Sequence, residues 1–125
     1  MEITYSASIK FASKELTAKE RIMLKDTTNA IALDEACEGG TVVIDPAFYA
    51  VLSVHNEKSK DKDYEKYIIV DKAGTKFVTG SESFLRSFKD IMDEMNGSDE
   101  EFQIEVYKKP SKNYSGKSFI TCSIV

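Results

Sequence analysis

The residues best suited to binding chemistry lie near the C-terminal end of the chain. The stretch from Lys108 to Val125, KKPSKNYSGKSFITCSIV, holds four lysines, two aromatic side chains and no acidic side chain. Lysine ammonium groups neutralise phosphates, and aromatic faces stack on nucleobases with little regard to which base is present. The stretch therefore predicts a site for a polyanion, and single-stranded nucleic acid is the polyanion that also offers bases for stacking.

The charge of the chain is segregated, although its net charge is −4. Residues 104–125 carry four lysines against one glutamate, a local net charge of +3, whereas residues 90–101 carry six acidic side chains and no basic one. We expect the acidic segment to be exposed and to bind no metal ion specifically, because a helix end and a turn do not form a preformed cage. The same segment supports a second hypothesis, in which the chain is an acidic protein-binding or inhibitory module that acts on a larger basic partner.

Catalytic and metal chemistry find little support in the sequence. His55 is the single histidine, and a structural zinc site needs about four thiolate or imidazole ligands. The glycine, lysine and serine at 116–118 lack the upstream glycine and the following helix of a phosphate-binding loop. We therefore expect no enzyme activity, no metal and no cofactor. Cys37 and Cys122 are predicted to be buried, reduced thiols, with a disulfide as the alternative.

Composition indicates one soluble globular domain over residues 1–125. The apolar share is 42% and the charged share 30%, and no apolar run approaches the roughly 18–20 residues that span a bilayer. The first residues have neither a basic start nor the apolar core of a signal peptide, so we expect a cytoplasmic location with no membrane contact.

Local patterns predict a helical N-terminal segment followed by strands. Residues 15–40 are predicted to be helical in two pieces, with a capping box formed by Thr17 and Glu20 and a stop at the two glycines 39–40. Residues 48–55 are typical of a strand, and the charged run 56–66 is predicted to be a loop. Strands over 67–71 and 75–79 would form a hairpin in which Gly74 supplies a positive φ.

The second half predicts one helix and a second hairpin. A helix over 81–95 presents one apolar stripe, formed by Phe84, Leu85, Phe88, Ile91, Met92 and Met95. Alternating strands then flank the loop at 110–116. If that loop is symmetric about Asn113, Tyr107 pairs with Phe119 on the polar face of the hairpin. Such a ring pair stabilises a hairpin by itself, by about 0.2–1 kcal/mol.

The element order after Gly40 is strand, strand, strand, helix, strand, strand. This order resembles the OB-fold, a small five-stranded barrel that binds oligonucleotides over its second and third strands and through the loops after strands one and four. Residues 41–125 would form the barrel and residues 1–40 a helical extension. In size and element order the chain looks like the small single-stranded DNA-binding proteins of bacteriophages and other mobile elements.

That resemblance implies a role in DNA replication, largely sequence-independent binding of single-stranded DNA or RNA, and homo-oligomers or protein partners in some cases. It also places the ligand across the charged loop, the lysine hairpin and the strands between them. The nucleic-acid-binding residues that the resemblance and the lysine and aromatic pattern together indicate are Tyr67, Lys76, Phe77, Tyr107, Lys108, Lys109, Lys112, Tyr114, Lys117 and Phe119.

Two structural interpretations compete with this site. Lysines on a hairpin deter edge-to-edge association of strands, so the basic stretch could be an edge device with no ligand. Tyr67 and Phe77 could equally face the core, because alternation alone does not identify the inward face.

Overall fold

The computed structural model describes residues 5–58, 62–110 and 118–125. Over these residues the chain is mainly β, as predicted, and consists of eight strands and three α-helices. In chain order the elements are β1 (Tyr5–Ala12), α1 (Ala18–Lys25), β2 (Ile31–Ala32), α2 (Leu33–Ala36) with a 3-10 turn (Cys37–Gly39), β3 (Val42–Ile44), β4 (Pro46–Asn56), β5 (Asp63–Asp71), β6 (Lys76–Thr79), α3 (Glu82–Met95), β7 (Ile104–Pro110) and β8 (Ser118–Ile124).

The predicted closed barrel is wrong for the described residues, because the strands form two open sheets. One sheet has five strands in the order β1-β4-β5-β6-β2, and the other has three in the order β3-β7-β8. Strand β3 pairs with β7 through Val42 and Val106 instead of continuing into the sheet of β4. Pro46 begins β4, and proline suits a strand start because it has no N–H to donate to a ladder.

The described chain divides into two compact units. The first contains the residues up to Ile31 together with Ala47–Gly80, and the second contains Ala32–Pro46 together with Ser81–Val125. None of the described helices is long and apolar enough to cross a membrane.

The sequence predicted a helical N-terminal segment, but the structure shows that this segment also contains a strand. Tyr5–Ala12 is a strand that pairs antiparallel with β4, from Ser6 opposite His55 to Ala12 opposite Ala50. Ala7 and Ile9 pack against the core of the first unit, so their alternation with polar residues is the strand signal. That core contains Leu24, Ala50, Leu52, Val54, Ile68 and Val70.

Several predicted boundaries are confirmed. Helix α1 begins after the capping box, in which the Thr17 hydroxyl accepts from the backbone N–H of Glu20 and the Glu20 carboxylate accepts from that of Thr17. The β5–β6 turn has Gly74 at φ 91°, and the Asp71 carboxylate accepts from the backbone N–H groups of Ala73 and Thr75.

Helix α3 begins where predicted, with Ser81 as its N-cap accepting from the backbone N–H of Phe84. Phe84 and Phe88 of the predicted stripe are fully buried. The helix packs along β8, where the Ser83 hydroxyl donates to the Ile120 carbonyl and the Ser87 and Thr121 hydroxyls are hydrogen-bonded. The helix thereby covers an edge strand that would otherwise expose unpaired backbone groups.

Candidate functional site

The β3-β7-β8 sheet of the second unit has one buried face and one partly exposed face. The buried face is formed by Ile44, Ile104, Val106, Ile120 and Cys122. Because side chains alternate along a strand, the residues between them point to the other side. We call this side the hairpin face, and its members on β7 and β8 are Glu105, Tyr107, Lys109, Phe119, Thr121 and Ser123.

Lys109 and Phe119 are directly opposite each other at the end of the hairpin face that adjoins residues 111–117. Both are exposed, and Phe119 keeps 36% of its surface accessible. An exposed ring beside an exposed ammonium group is the elementary unit of a single-strand site, since the ring can stack on a base while the cation contacts a neighbouring phosphate.

The predicted pairing of Tyr107 with Phe119 is wrong by two residues. Tyr107 pairs with Thr121, and its hydroxyl lies 2.7 Å from the Ser123 hydroxyl, on the side away from Phe119. The two rings still share the hairpin face, but as diagonal neighbours about 7–8 Å apart at the backbone. Tyr107 is half-buried and bonded, so Phe119 is the more available stacking surface.

Lys108 lies on the opposite side of β7 from Lys109, across from Ile120. Its ammonium nitrogen is 3.5 Å from a carboxylate oxygen of Glu38. Solvent-exposed ion pairs are worth about 0–1 kcal/mol. Breaking the ion pair with Glu38 so that Lys108 could contact a phosphate would therefore cost little free energy.

Three of the predicted nucleic-acid-binding residues belong to the first unit, where their side chains are buried or hydrogen-bonded. Tyr67 and Phe77 are 3% and 6% exposed, so neither ring presents a free face for stacking in this conformation. The Lys76 ammonium group donates to the carbonyl oxygens of Met23 and Asp26, at 2.8 and 2.5 Å. Lysine at this position satisfies carbonyls that the end of α1 leaves without helical partners.

The remaining predicted residues, Lys112, Tyr114 and Lys117, lie outside the described residues. They belong to the segment that joins β7 to β8, whose two flanking strands hold the Lys109–Phe119 pair. Their assignment to a ligand stays a prediction from the sequence.

A pocket opens beside the hairpin in the second unit. It has a volume of about 340 Å³ and is lined by Asp34, Ser81, Lys108, Phe119 and Ile120. We call it the hairpin pocket. Its lining residues come from α2, from the N-cap of α3 and from the two strands of the hairpin.

Sequence reasoning included only Lys108 and Phe119 of this pocket. Asp34 and Ser81 come from α2 and from the N-cap of α3, far from the hairpin in the chain. No local pattern marked Asp34, and Ser81 was identified only as a helix cap. Their approach to the hairpin depends on tertiary packing.

Both cysteines are free and buried, which confirms the expected reduced thiols. Burial raises the pKa of Cys122 to about 12. Burial also raises the pKa of Cys37, where the nearby Asp34 carboxylate adds to the rise and the Lys108 ammonium group opposes it. The Cys37 thiol donates to the Val106 carbonyl at 3.5 Å. High pKa values and burial make both thiols poor nucleophiles.

His55 is held between two carboxylates at the start of the charged loop. Its Nδ1 lies 2.7 Å from Asp63 and its Nε2 lies 2.6 Å from Glu57, which Lys62 contacts at 3.2 Å. Hydrogen bonding to Asp63 and then to Glu57 raises the pKa of His55 above 6.5. Carboxylates beside both ring nitrogens favour the protonated imidazolium, and in that form this clamp between β4 and β5 leaves the ring no free nitrogen for general-base chemistry.

The acidic segment is exposed, as predicted. Its six carboxylate side chains, Asp90, Asp93, Glu94, Asp99, Glu100 and Glu101, all lie at the surface. Within the described ranges, no group of three or more histidine, cysteine, aspartate or glutamate side chains is arranged to hold a metal ion.

Comparison of the chain with models of protein families, with curated proteins and with solved structures finds no match.

Proposed function

We propose that this protein binds single-stranded nucleic acid, in the first place single-stranded DNA, through the hairpin face of β7 and β8. The observation that carries the proposal is the cross-strand pair of exposed Lys109 and exposed Phe119. Phe119 supplies the stacking surface, while Lys109 and Lys108 supply positive charge on the two sides of the same strand. The segment that follows, residues 111–117, adds Lys112, Tyr114 and Lys117 by sequence.

The proposal depends on this hairpin and not on a barrel fold. Stacking on an aromatic side chain is worth about 1–3 kcal/mol per base and tolerates any base. Phosphate neutralisation adds affinity that falls with salt. The acidic exposed segment 90–101 would repel nucleic acid from its own surface and so favour binding at the basic hairpin.

The test is a titration of labelled oligothymidylate and of a duplex of equal length at several salt concentrations. The wild-type protein should bind the single strand more tightly than the duplex. Its affinity should fall with salt at a log–log slope of about −0.7 per phosphate neutralised, or roughly −2 to −3 for three or four lysines. Because the chain has no tryptophan, quenching of tyrosine emission would report binding without a tryptophan background.

The control is a variant in which Asp93, Glu94, Asp99, Glu100 and Glu101 are changed to their amides. It should bind single strands as well as the wild type or better. If the wild type bound no single strand at low salt, the hairpin would be an edge device. The protein-binding alternative would then be supported if the wild type bound a protein partner and the amide variant did not.

A further inference from the structure

We infer that a second copy of this chain docks on the first unit, in an apolar groove beside helix α1, through its own acidic segment 90–101. This contact goes beyond single-strand binding and does not depend on it. Each copy has both surfaces, so one copy can receive an acidic segment and also donate its own.

The groove lies between α1, the chain that follows it and the β5–β6 turn. We call it the α1 groove. Its volume is about 530 Å³, and its lining residues are Ile22, Met23, Asp26, Asn29, Ile31, Gly74, Thr75 and Lys76. Three of these are large apolar side chains that stay exposed, with 71% of Ile22, 44% of Met23 and 42% of Ile31 accessible. Exposed apolar side chains gathered around one groove are typical of a protein interaction site.

The helix that forms one wall of the α1 groove is basic. It carries three exposed cations, Lys19, Arg21 and Lys25, against one acidic side chain, Glu20. The Glu20 carboxylate is held by the Lys14 ammonium group at 2.6 Å, so it does little to offset those cations. Asp26 and Lys76 both line the groove, and their charges offset each other. A basic wall on a chain with a net charge of −4 favours an acidic occupant.

The acidic segment of another copy has the complementary character. The apolar stripe of α3 is fully buried at Phe84 and Phe88. The C-terminal part of the stripe is only half-buried and consists of Ile91, Met92 and Met95. The acidic side chains of the same turns are exposed, namely Asp90, Asp93 and Glu94. These turns therefore offer apolar and carboxylate groups together, and methionine adapts readily to an irregular apolar surface.

The contact is heterologous, because a patch on one copy meets a different patch on the next. A contact between two short helical segments belongs to the size class below about 1,200 Å² of total buried area, whose complexes are weak and transient. The charges on both sides are exposed, so salt screens their attraction. We therefore expect a reversible association that grows with protein concentration and weakens as salt is raised.

Sedimentation velocity of the whole chain without nucleic acid, over a series of protein and salt concentrations, tests this contact. Ile22→Asp should weaken association at least about tenfold, because a carboxylate in the α1 groove repels the acidic segment. Asp93→Lys combined with Glu94→Lys should weaken it as much, by placing cations against the basic helix. All three positions are exposed, so the variants should fold.

Two controls make the same charge changes elsewhere on the surface. Val125→Asp replaces an apolar side chain that is 68% exposed, and Glu15→Lys combined with Glu35→Lys reverses two exposed carboxylates. Both controls should associate like the wild type. A loss in the controls equal to that in the test variants would overturn the contact, since net charge alone would then explain the result.

Mixing the two test variants gives the sharpest result. Ile22→Asp keeps its acidic segment and the double lysine variant keeps its groove, so the mixture should form a complex at concentrations where each variant alone stays monomeric. That complex would also show that both variants are folded. A mixture that stays monomeric, or a wild type that stays monomeric at millimolar concentration, overturns the contact. Association that both test variants retain assigns it to another surface and overturns it as well. Failure of oligothymidylate binding would overturn the proposed function and leave this contact standing.

Discussion

Lys109 and Phe119 face each other across β7 and β8 on the partly exposed face of the sheet, two positions nearer the connecting segment than Tyr107 and Thr121. The tyrosine hydroxyl is engaged by Ser123, whereas the phenylalanine ring remains exposed beside the lysine. The sequence had assigned both hairpin stability and ligand contact to each of the two aromatic residues, but their surroundings differ. Tyr107 helps to hold the hairpin together, and Phe119 is the residue placed to contact a ligand.

Tyr107→Phe should therefore lower stability without weakening binding. It removes the hydrogen bond to Ser123, which is worth about 0.5–1.5 kcal/mol in the free energy of unfolding, and it keeps the ring. Urea denaturation of Tyr107→Phe, Ser123→Ala and the double variant measures the coupling. We expect the double variant to lose less than the sum of the single losses, and strict additivity would mean that the two hydroxyls do not interact.

Lys76→Met should destabilise the first unit and leave nucleic-acid binding and its salt dependence unchanged. The variant withdraws a charged donor from the carbonyls of Met23 and Asp26, and a cation at a helix C-terminus stabilises by up to about 1 kcal/mol. The matched control is Lys19→Met, an exposed lysine in the first turn of the same helix, which should not lower the urea midpoint. A reduced salt slope in Lys76→Met would instead show that Lys76 contacts the nucleic acid.

His55 should make stability depend on pH. Its pKa in the folded protein is raised above 6.5 by hydrogen bonds to Asp63 and Glu57. The stabilisation from this clamp is therefore fully present below the unfolded pKa of about 6.5 and is lost as pH rises through the folded pKa. The difference in melting temperature between wild type and His55→Gln should be largest near pH 6 and should disappear at alkaline pH.

The His55 titration can be followed directly, because the chain contains one histidine. The proton NMR midpoint of the ring should lie above 6.5 in the wild type. Asp63→Asn and Glu57→Gln should each lower it, since each removes one carboxylate partner. A wild-type midpoint at or below 6.5 would show that the clamp does not form in solution.

Local chemistry in the sequence predicted the elements that depend on local rules. The Thr17 capping box, the positive φ of Gly74 and the apolar stripe of α3 each involve residues within a few positions of one another. The strand Tyr5–Ala12 was missed because its alternation is short and includes small residues, although Ala7 and Ile9 face the core. Its partner β4 is distant in the chain, with pairs that run from Ala12 with Ala50 to Tyr5 with Asn56, and no local rule reports such a pairing.

The register of the last hairpin could not be derived from its pattern. A slip of one residue would turn every side chain to the other face, but a slip of two leaves the same residues inward. Ile104 and Val106 face the core in either register, so the apolar pattern does not distinguish Tyr107–Phe119 pairing from Lys109–Phe119 pairing. The hairpin pocket was beyond sequence reasoning for a similar reason, because tertiary packing brings Asp34 and Ser81 to Lys108.

Binding of labelled oligothymidylate by Phe119→Ala and Lys109→Ala, measured across a salt series, tests the Lys109–Phe119 site most directly. Phe11→Ala and Lys19→Ala are the matched controls, since both are exposed residues of the first unit. We expect Phe119→Ala to weaken binding about 5- to 150-fold at unchanged salt slope, and Lys109→Ala to reduce the slope by about 0.7. Affinities and slopes for both hairpin variants equal to those of the controls would contradict single-strand binding at this face.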